Sequence, residues 1–473
     1  MIAIVAGGGW GGEVLRAALL GLGFAGVVAG TELWYRRYQP PVEWTRKTLH
    51  VAFGLAAAAL PWVLRSHWTF LVLAGVIASV LAWARRRRLL PSLFDVERQS
   101  YGEIYFPLGL YLLFVVASGH RVFYVVSLIM LVICDALAAV LGESYGRHRY
   151  TVHRDQRSLE GSAVFLFTAF LGTHLPLLLF THIDRGTSVM ISLQLALLVT
   201  AFEAISTGGS DNLVLPLITY FLLLKLTPRS SAAIGVQLLV QIGILAAMLL
   251  LARRTRYLSF SGAVAAHLVL YGAFSLGGPP WLVAPVLALA ALVALDRNDH
   301  QRLAGADSGY DVQAIFYVAI VAALWLFADN GFATFVHGPA KLRTGHPFHV
   351  MFVGALAASL AVIAYWNFEN MPRLRRRSAG YRGLVAASLG YGSVALLGLW
   401  ALRGARLGIE LATAGLVCVL GLVFHLALRR VVRPPAGDVW TLRLLALGVL
   451  LATLAVLPLH LWTLGIEPWR PAR

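Results

Sequence analysis

A polytopic bundle of transmembrane α-helices is the fold class this sequence predicts, and three observations predict it. Of its 473 residues, 59% are hydrophobic and 13% charged, where soluble domains run to about half and about a quarter. Mean hydropathy is +0.75, and apolar stretches long enough to cross a bilayer recur from one end to the other. Basic residues concentrate in alternate connectors, the pattern that orients membrane helices. Together these exclude a soluble enzyme on a single anchor, a disordered chain and a secreted disulfide scaffold. Cys134 and Cys418 both lie inside apolar runs and carry no redox signal.

About sixteen spans are predicted, near residues 15–35, 47–64, 67–84, 105–118, 122–143, 160–180, 188–206, 211–227, 232–252, 258–276, 281–296, 311–328, 347–366, 381–402, 407–428 and 441–464. They fall into two polytopic parts, 1–230 and 231–473. Lys and Arg number 39 against 22 Asp and Glu, a net charge of +17. This excess lies in short connectors between apolar spans, so it points to a lipid bilayer and not to nucleic acid. Arg36, Arg37, Arg46 and Lys47 follow the first span, Arg65 alone the second, and Arg85 to Arg88 with Arg98 the third. The alternation continues through Arg147, Arg149, Arg154 and Arg157, then Arg253, Arg254 and Arg256, then Arg373 to Arg377 with Arg382, then Arg429, Arg430 and Arg433. The positive-inside rule makes that side cytoplasmic and places both termini outside, in a multi-pass protein of the cell (inner) membrane. No positively charged segment followed by a cleavage site opens the chain, so no signal peptide is expected. Gly7-x-Gly9-x-x-Gly12 matches a dinucleotide fingerprint formally, but no strand–helix–strand unit surrounds it, and no P-loop pattern occurs. A nucleotide site must therefore be built differently.

Ionisable residues inside apolar spans are costly unless paired or facing water, which makes them the informative ones. Arg46 and Lys47 open the second span with His50 and Gly54; spacings of three, four and seven put Lys47, His50 and Gly54 on one helical face. Two cations and an imidazole at a helix start oppose the helix dipole, and a bound anion would relieve the conflict; interfacial snorkelling around a buried histidine is the alternative. Asp95, Glu97, Arg98, Tyr101 and Glu103 form a connector that reads as a solvated loop. Asp135 sits eight residues before Glu143, about 12 Å into the membrane. A carboxylate there needs a cation, and Mg²⁺ with a phosphate is one answer. Gly142 and Gly146 permit close approach of a ligand or of another helix. Arg157 and Ser158 precede Glu160 at a helix start, where N–H groups and a guanidinium suit phosphate. Glu203, then Gly208, Gly209, Ser210, Asp211 and Asn212, form a connector without a basic residue, offering oxygen donors for Mg²⁺ or simply a turn.

All five clusters belong to the same expected face of the membrane. Basic groups with a small set of carboxylates are what phosphoryl transfer from a metal-bound nucleotide needs: positioning and charge neutralisation with little covalent chemistry. A lipid alcohol could reach the same place from the bilayer. Asp135 and Asp211, with Glu203, are the candidate metal ligands; Arg46, Lys47, Arg157, Ser158, Asn212, Gly142 and Gly146 the candidate nucleotide and phosphate contacts; His50, Glu160 and Asp135 the candidate catalytic groups.

In that order, Arg46-Lys47-x-x-His50-x-x-x-Gly54, Asp135-x-x-Ala138-x-x-x-Gly142-x-x-x-Gly146, Arg157-Ser158-x-Glu160-Gly161-Ser162, and Glu203 with Asp211-Asn212-Leu213-x-x-Pro216 resemble the phytol kinase and dolichol kinase family, over roughly residues 15 to 230. The resemblance implies CTP-dependent phosphorylation of a long-chain isoprenoid alcohol at the cytoplasmic face, with Mg²⁺ as cofactor. Phosphatidate cytidylyltransferases look similar around Asp135 and Glu160, but their histidine-glycine and paired-aspartate signature is absent. Where the family often carries a lysine pair this chain has Gln156-Arg157, which bears on donor preference.

The second half resembles the membrane family of plant phytyl-phosphate kinases more weakly, through Leu258 to Ala266 and Gly277-Gly278-Pro279-Pro280-Trp281. Its acidic stretch is eroded to Ala361-Val362-Ile363-Ala364-Tyr365-Trp366, with no acid before Glu369, and its serine-glycine motif to Gly390-Tyr391-Gly392-Ser393. This half is expected to be a diverged partner without catalysis. Asp329, Asn330, His337, His346 and His349 are expected in an external loop, as exposed histidines more than a metal site. The rival functional class is a lipid or solute transporter, which would place ionisable groups near the midplane of both halves.

Overall fold

The computed structural model describes residues 10–64, 66–87, 89–94, 102–117, 119–153, 155–255, 257–297, 310–335, 346–370, 381–402, 407–432 and 438–464. The connector Asp95 to Tyr101, the Gly7-x-Gly9 stretch and His337 lie outside the described residues, as do Arg65, Arg88, Arg154, Arg256, Arg373 to Arg377 and Arg433.

The helices are α1 (Trp10–Tyr38), α2 (Val42–Ala58), α3 (His67–Arg86), α4 (Gly102–Val116), α5 (Arg121–Tyr145), α6 (Leu159–Phe180), α7 (Arg185–Ile205), α8 (Asp211–Leu226), α9 (Ser231–Arg254), α10 (Phe260–Gly277), α11 (Pro279–Arg297), α12 (Val312–Phe335), α13 (His349–Asn370), α14 (Tyr381–Leu396), α15 (Leu407–Val432) and α16 (Asp438–Thr463). Each predicted span coincides with one of them. Among the described residues, twelve are long and apolar enough to cross a membrane; α2, α4 and α8 have 17, 15 and 16 residues. At about 1.5 Å per residue those three reach about 25 Å or less, short of a hydrocarbon core of about 30 Å. Of the short helices, α8 opens with Asp211 and Asn212, but α2 begins at Val42, so Arg46 and Lys47 lie in its second turn and not at a helix start as expected. The protein is a multi-pass, all-α membrane protein.

By its internal contacts the chain divides into units Met1–Leu239 and Val240–Arg473. In the first, α5 is the shared element. Val126, Met130 and Cys134, four residues apart, pack with Phe165, Leu195, Val199 and Leu215. Tyr124, Leu128, Leu131 and Val132, on another face, pack with Leu60, Phe70 and Leu113. The helix is not uniform: Met130–Cys134 form a π turn, closed by the Asp135 N–H donating to the Met130 carbonyl. The extra residue in that turn changes the direction in which Asp135 leaves the helix, and such bulges recur at functional sites.

The face of α2 defined by Lys47, His50 and Gly54 docks on this segment. A Cβ built on Gly54 would stand 2.6 Å from Val132 Cγ1 and 2.8 Å from its Cβ. Val132 is branched at Cβ and part of the π turn, so it cannot swing away. Gly54→Ala is expected to cost about 1–3 kcal/mol of stability, read as a fall in thermal midpoint in detergent. Adding Val132→Ala should recover most of it, and no recovery would mean that the two helices do not meet there.

Between α5 and α6 lies the one strand pair among the described residues, β1 (Arg149–Val152) and β2 (Asp155–Ser158), antiparallel with Arg149 opposite Ser158 and Val152 opposite Asp155. Its turn passes through His153 at φ +55°.

The second unit is built around α13, which is almost wholly buried. Small residues let its neighbours approach: a Cβ on Gly421 would lie 2.6 Å from that of Ala358, and one on Gly392 2.7 Å from the Ala357 carbonyl. The eroded run Ala361 to Trp366 lies on this helix, and Glu369 near its end pairs with Arg429. Of the two described histidines of the expected loop, His346 is the exposed residue outside a helix that was expected, and His349 is not. Asp329 is buried on α12, where it bonds the His346 ring (2.9 Å) and accepts from the Phe348 N–H (2.9 Å). His349 begins α13 and is 1% exposed, packed on Trp281. The start of α13 buries the His349 ring, while His346, just before the helix, keeps an exposed side chain.

Candidate active site

Two cavities meet in the first unit. The polar one, about 580 Å³, is lined from four directions: Arg46, Lys47 and His50 of α2; Asp135, Ala138, Ala139, Gly142 and Glu143 of α5; Arg149, Gln156, Arg157 and Ser158 of the hairpin, with Gly161 and Ser162 of α6; and Glu203, Gly209, Asp211 and Asn212 around the α7–α8 turn.

Its electrostatics rest on two ion-pair groups. Lys47 donates from Nζ to Asp135 Oδ2, with both side chains about nine-tenths buried. Arg157 reaches three acceptors at once: the Glu203 carboxylate through Nη1, and through Nη2 the Ser206 carbonyl at 2.8 Å, with Asp211 Oδ2 at 3.5 Å. Burial works against the Arg157 charge, and the carboxylates of Glu203 and Asp211 more than offset it, raising the guanidinium above its ordinary range. Tyr150 on β1, 3.0 Å from the Ser162 hydroxyl, has its phenol pushed up to about 12 by burial and by the charge of Glu203.

The backbone explains how residues so far apart in sequence share one cation. Gly208 (φ +62°) and Gly209 (φ +85°) take left-handed conformations that other residues resist. The turn they make folds the end of α7, with Glu203, back beside the start of α8, with Asp211. On the opposite wall Gly142 and Gly146 let the hairpin lie against α5: Cβ atoms there would meet the Ser158 hydroxyl at 2.9 and 2.7 Å. Gly142 thus lines the cavity and serves packing, while Gly146 serves packing alone.

His50 stands where both cavities meet. Its Nε2 lies 2.9 Å from the Leu131 carbonyl inside the π turn. A carbonyl only accepts, so Nε2 carries a proton, and in the neutral tautomer this fixes, the lone pair is on Nδ1.

The second cavity, about 450 Å³, is apolar. Leu19, Leu20, Phe24, Phe53, Leu73, Ile77 and Phe106 are among its walls, which come from α1, α2, α3 and α4. Arg46, His50 and Asn212 line both cavities.

Of the residues singled out in the sequence, Arg46, Lys47, His50, Asp135, Gly142, Arg157, Ser158, Glu203, Asp211 and Asn212 all line the polar cavity. Glu160 does not. Its carboxylate accepts from the His148 N–H (3.2 Å) and bonds the His148 ring (2.7 Å), which ties the base of the hairpin. It therefore stands apart from the groups that would react. The Ser158 hydroxyl is engaged as the α6 cap, accepting from the Gly161 N–H (3.2 Å) and donating to the Gly142 carbonyl (3.2 Å). Arg149, Gln156 and Glu143 line the cavity without having been singled out as contacts; the basic loop and the helix end that carry them were the only signal.

Among the described residues no group of three or more His, Cys, Asp or Glu side chains is arranged to hold a metal ion by itself. Asp135 is on Lys47, and Glu203 with Asp211 on Arg157, so the three candidate ligands form two groups. A Mg²⁺ ion arriving with a nucleotide needs only one or two carboxylates, since phosphates and water supply the other oxygens. The Glu203–Asp211 pair fits that requirement.

No protein-family model matches the chain, and no solved structure does. The phytol kinase of Synechocystis sp. is 30% identical to it over 213 residues, which are 44% of this chain and 88% of that relative. Likeness at that level over most of the relative's length shows that the chain belongs to the phytol kinase family.

Proposed function

We propose that the protein transfers the γ-phosphoryl group of a nucleoside triphosphate, CTP in the first place, to the hydroxyl of a long-chain isoprenoid alcohol such as phytol, dolichol or another polyprenol. The observation that carries this reading is the junction of a charged cavity with an apolar one at Arg46, His50 and Asn212. A triphosphate in the first and a hydrocarbon chain in the second would bring phosphorus and hydroxyl together there. The donor assignment to CTP follows the family resemblance.

In the step proposed, the alcohol oxygen attacks the γ-phosphorus, the bond to the β–γ bridging oxygen breaks, and the nucleoside diphosphate leaves. The hydroxyl proton passes to His50 Nδ1 or to Asp135. Lys47, Arg46 and Arg157 neutralise phosphate charge, and Asn212 orients the acceptor. Glu203 and Asp211 would hold Mg²⁺, which when bound neutralises the charge of the phosphates.

Charge favours this over the cytidylyltransferase alternative. Four basic side chains (Arg46, Lys47, Arg149, Arg157) and four carboxylates (Asp135, Glu143, Glu203, Asp211) line the polar cavity. That balance suits one metal-bound triphosphate with a neutral alcohol better than a triphosphate with an anionic lipid phosphate. The transporter reading loses ground for a different reason: these groups gather at one cavity of one unit. In the second unit the only acid near the eroded motif, Glu369, is paired with Arg429, in keeping with a non-catalytic partner.

The connector charges support a site on the cytoplasmic face. Cys134 and Cys418 are buried, so a cysteine introduced by His153→Cys at the exposed hairpin turn should react with an impermeant maleimide in inside-out vesicles and not in right-side-out ones; the reverse would move the site to the outer face. Nucleotide binding is tested separately by thermal stabilisation in detergent with magnesium. CTP should raise the midpoint more than ATP, and Asp211→Asn should remove the difference. No shift with any nucleoside triphosphate would overturn the kinase reading.

A further inference from the structure

We infer that the apolar cavity measures the acceptor: its closed end limits the enclosed chain to about three or four isoprene units, and Ala57 and Ala74 set that limit. The inference rests on the kinase reading above and goes beyond it in naming which alcohols are accepted.

The cavity has a direction. On α2 its lining runs from Arg46 and His50 through Phe53 to Ala57, with Leu60 just past the helix end; on α3 it runs from Arg85 through Ile77 and Ala74 to Phe70. Both helices therefore carry a cation at one end of the cavity and buried apolar side chains at the other. Leu60, Phe70 and Leu110, each 6% exposed or less, close the far end and belong to one core cluster with Tyr124 and Leu128. Nothing polar lines that end, so it suits the ω end of a hydrocarbon chain and no head group. Along the side, Gly23 and Ala56 line the cavity and are exposed, which gives a chain a lateral entrance from the lipid.

The depth follows from the helix. Eight residues of α2 run from His50, at the junction, to Ala58, about 12 Å of rise, and Leu60 closes the cavity two residues on, about 15 Å in all if the helical Ala59 is counted. An extended isoprene unit spans about 5 Å, four carbon–carbon bonds of about 1.5 Å in a zigzag. Three units fill the distance, and a fourth fits if the chain bends or the carbinol end lies beyond His50. A polyprenol of nine units would need about 45 Å on the same basis and cannot be enclosed. Just before the closed end the walls are methyl groups, at Ala57 of α2 and Ala74 of α3, both buried. A larger side chain at either position would occupy the space of the last unit.

The test is a chain-length series in mixed micelles with the full-length protein. Prenols of two, three, four, five and nine units are compared by kcat/KM at saturating nucleotide. The wild type should be most efficient at three or four units and at least tenfold poorer at nine. Ala57→Phe and Ala74→Leu should each move the optimum down by one unit while keeping activity on the two-unit alcohol. Leu60→Ala, which removes volume from the closed end, should move it up. The nucleotide KM reports whether each variant is folded and should stay within about twofold. An unchanged length profile in all three variants, or equal efficiency at four and nine units, would overturn the inference and leave the kinase reading standing. If the wild type phosphorylates no alcohol of any length, the kinase reading itself fails.

Discussion

Asp135→Asn is expected to lower phosphoryl transfer by about 10²–10³-fold, the cost of removing one preorganised charge from a water-poor site. It should also destabilise the protein by about 3–5 kcal/mol, because Lys47 is left buried without its partner. The two effects can be separated. In the double variant Lys47→Met with Asp135→Leu neither charge remains, so the thermal midpoint should return close to that of the wild type while activity stays absent. Recovery of activity in the double variant would assign the pair a purely structural part. Purified protein in detergent gives both readings, from a melting curve and a transfer assay.

Arg157 carries the second large effect. Its guanidinium serves Glu203, Ser206 and Asp211 together, and an ammonium group cannot span all three. Arg157→Lys should keep the fold but raise the nucleotide KM by about tenfold or more, each lost charge-assisted hydrogen bond being worth about 1.5–3 kcal/mol. Arg157→Ala leaves two buried carboxylates facing each other and should unfold at markedly lower temperature. Kinetics with nucleotide varied at fixed alcohol check the first, and a melting curve checks the second. A Lys variant with unchanged KM would take Arg157 out of the nucleotide site.

How much of this was legible in the sequence depends on the length scale of the signal. The spans were legible because apolar runs of that length form little besides membrane helices, and all sixteen coincide with helices. The face Lys47-His50-Gly54 was legible because helical periodicity fixes which residues share a side; in the structure these three meet Asp135, Leu131 and Val132 on a single helix. What periodicity cannot supply is the partner across space. Arg157 lies 46 residues from Glu203 and 54 from Asp211, and only the fold of the Gly208–Gly209 turn joins them. The π turn at Met130–Cys134 was invisible, since its residues are the same apolar types as any span. Glu160 shows a related ambiguity: a first-turn carboxylate looks alike in sequence whether it faces a cavity or ties a hairpin, as it does here. The apolar cavity left no trace either, because alanines that make room for a ligand read like alanines that pack helices.

The histidines of the second unit fall between these cases. Separation from the preceding span points to a loop, which fits the exposed His346, but the start of α13 buries His349; the bond to Asp329 holds His346 above its ordinary pKa. Here the tertiary packing, and not the local sequence, determines exposure.

In the reaction proposed, one cavity holds a triphosphate and the other an isoprenoid chain, and phosphorus and hydroxyl meet between them. Purified protein given CTP labelled in the γ-phosphate, magnesium and a four-unit isoprenoid alcohol tests it most directly. Label should appear in an isoprenyl monophosphate, formed in equal amount with CDP and lost in Asp135→Asn. Label that never enters the lipid, with CTP or any other nucleoside triphosphate and any alcohol of the series, would contradict it.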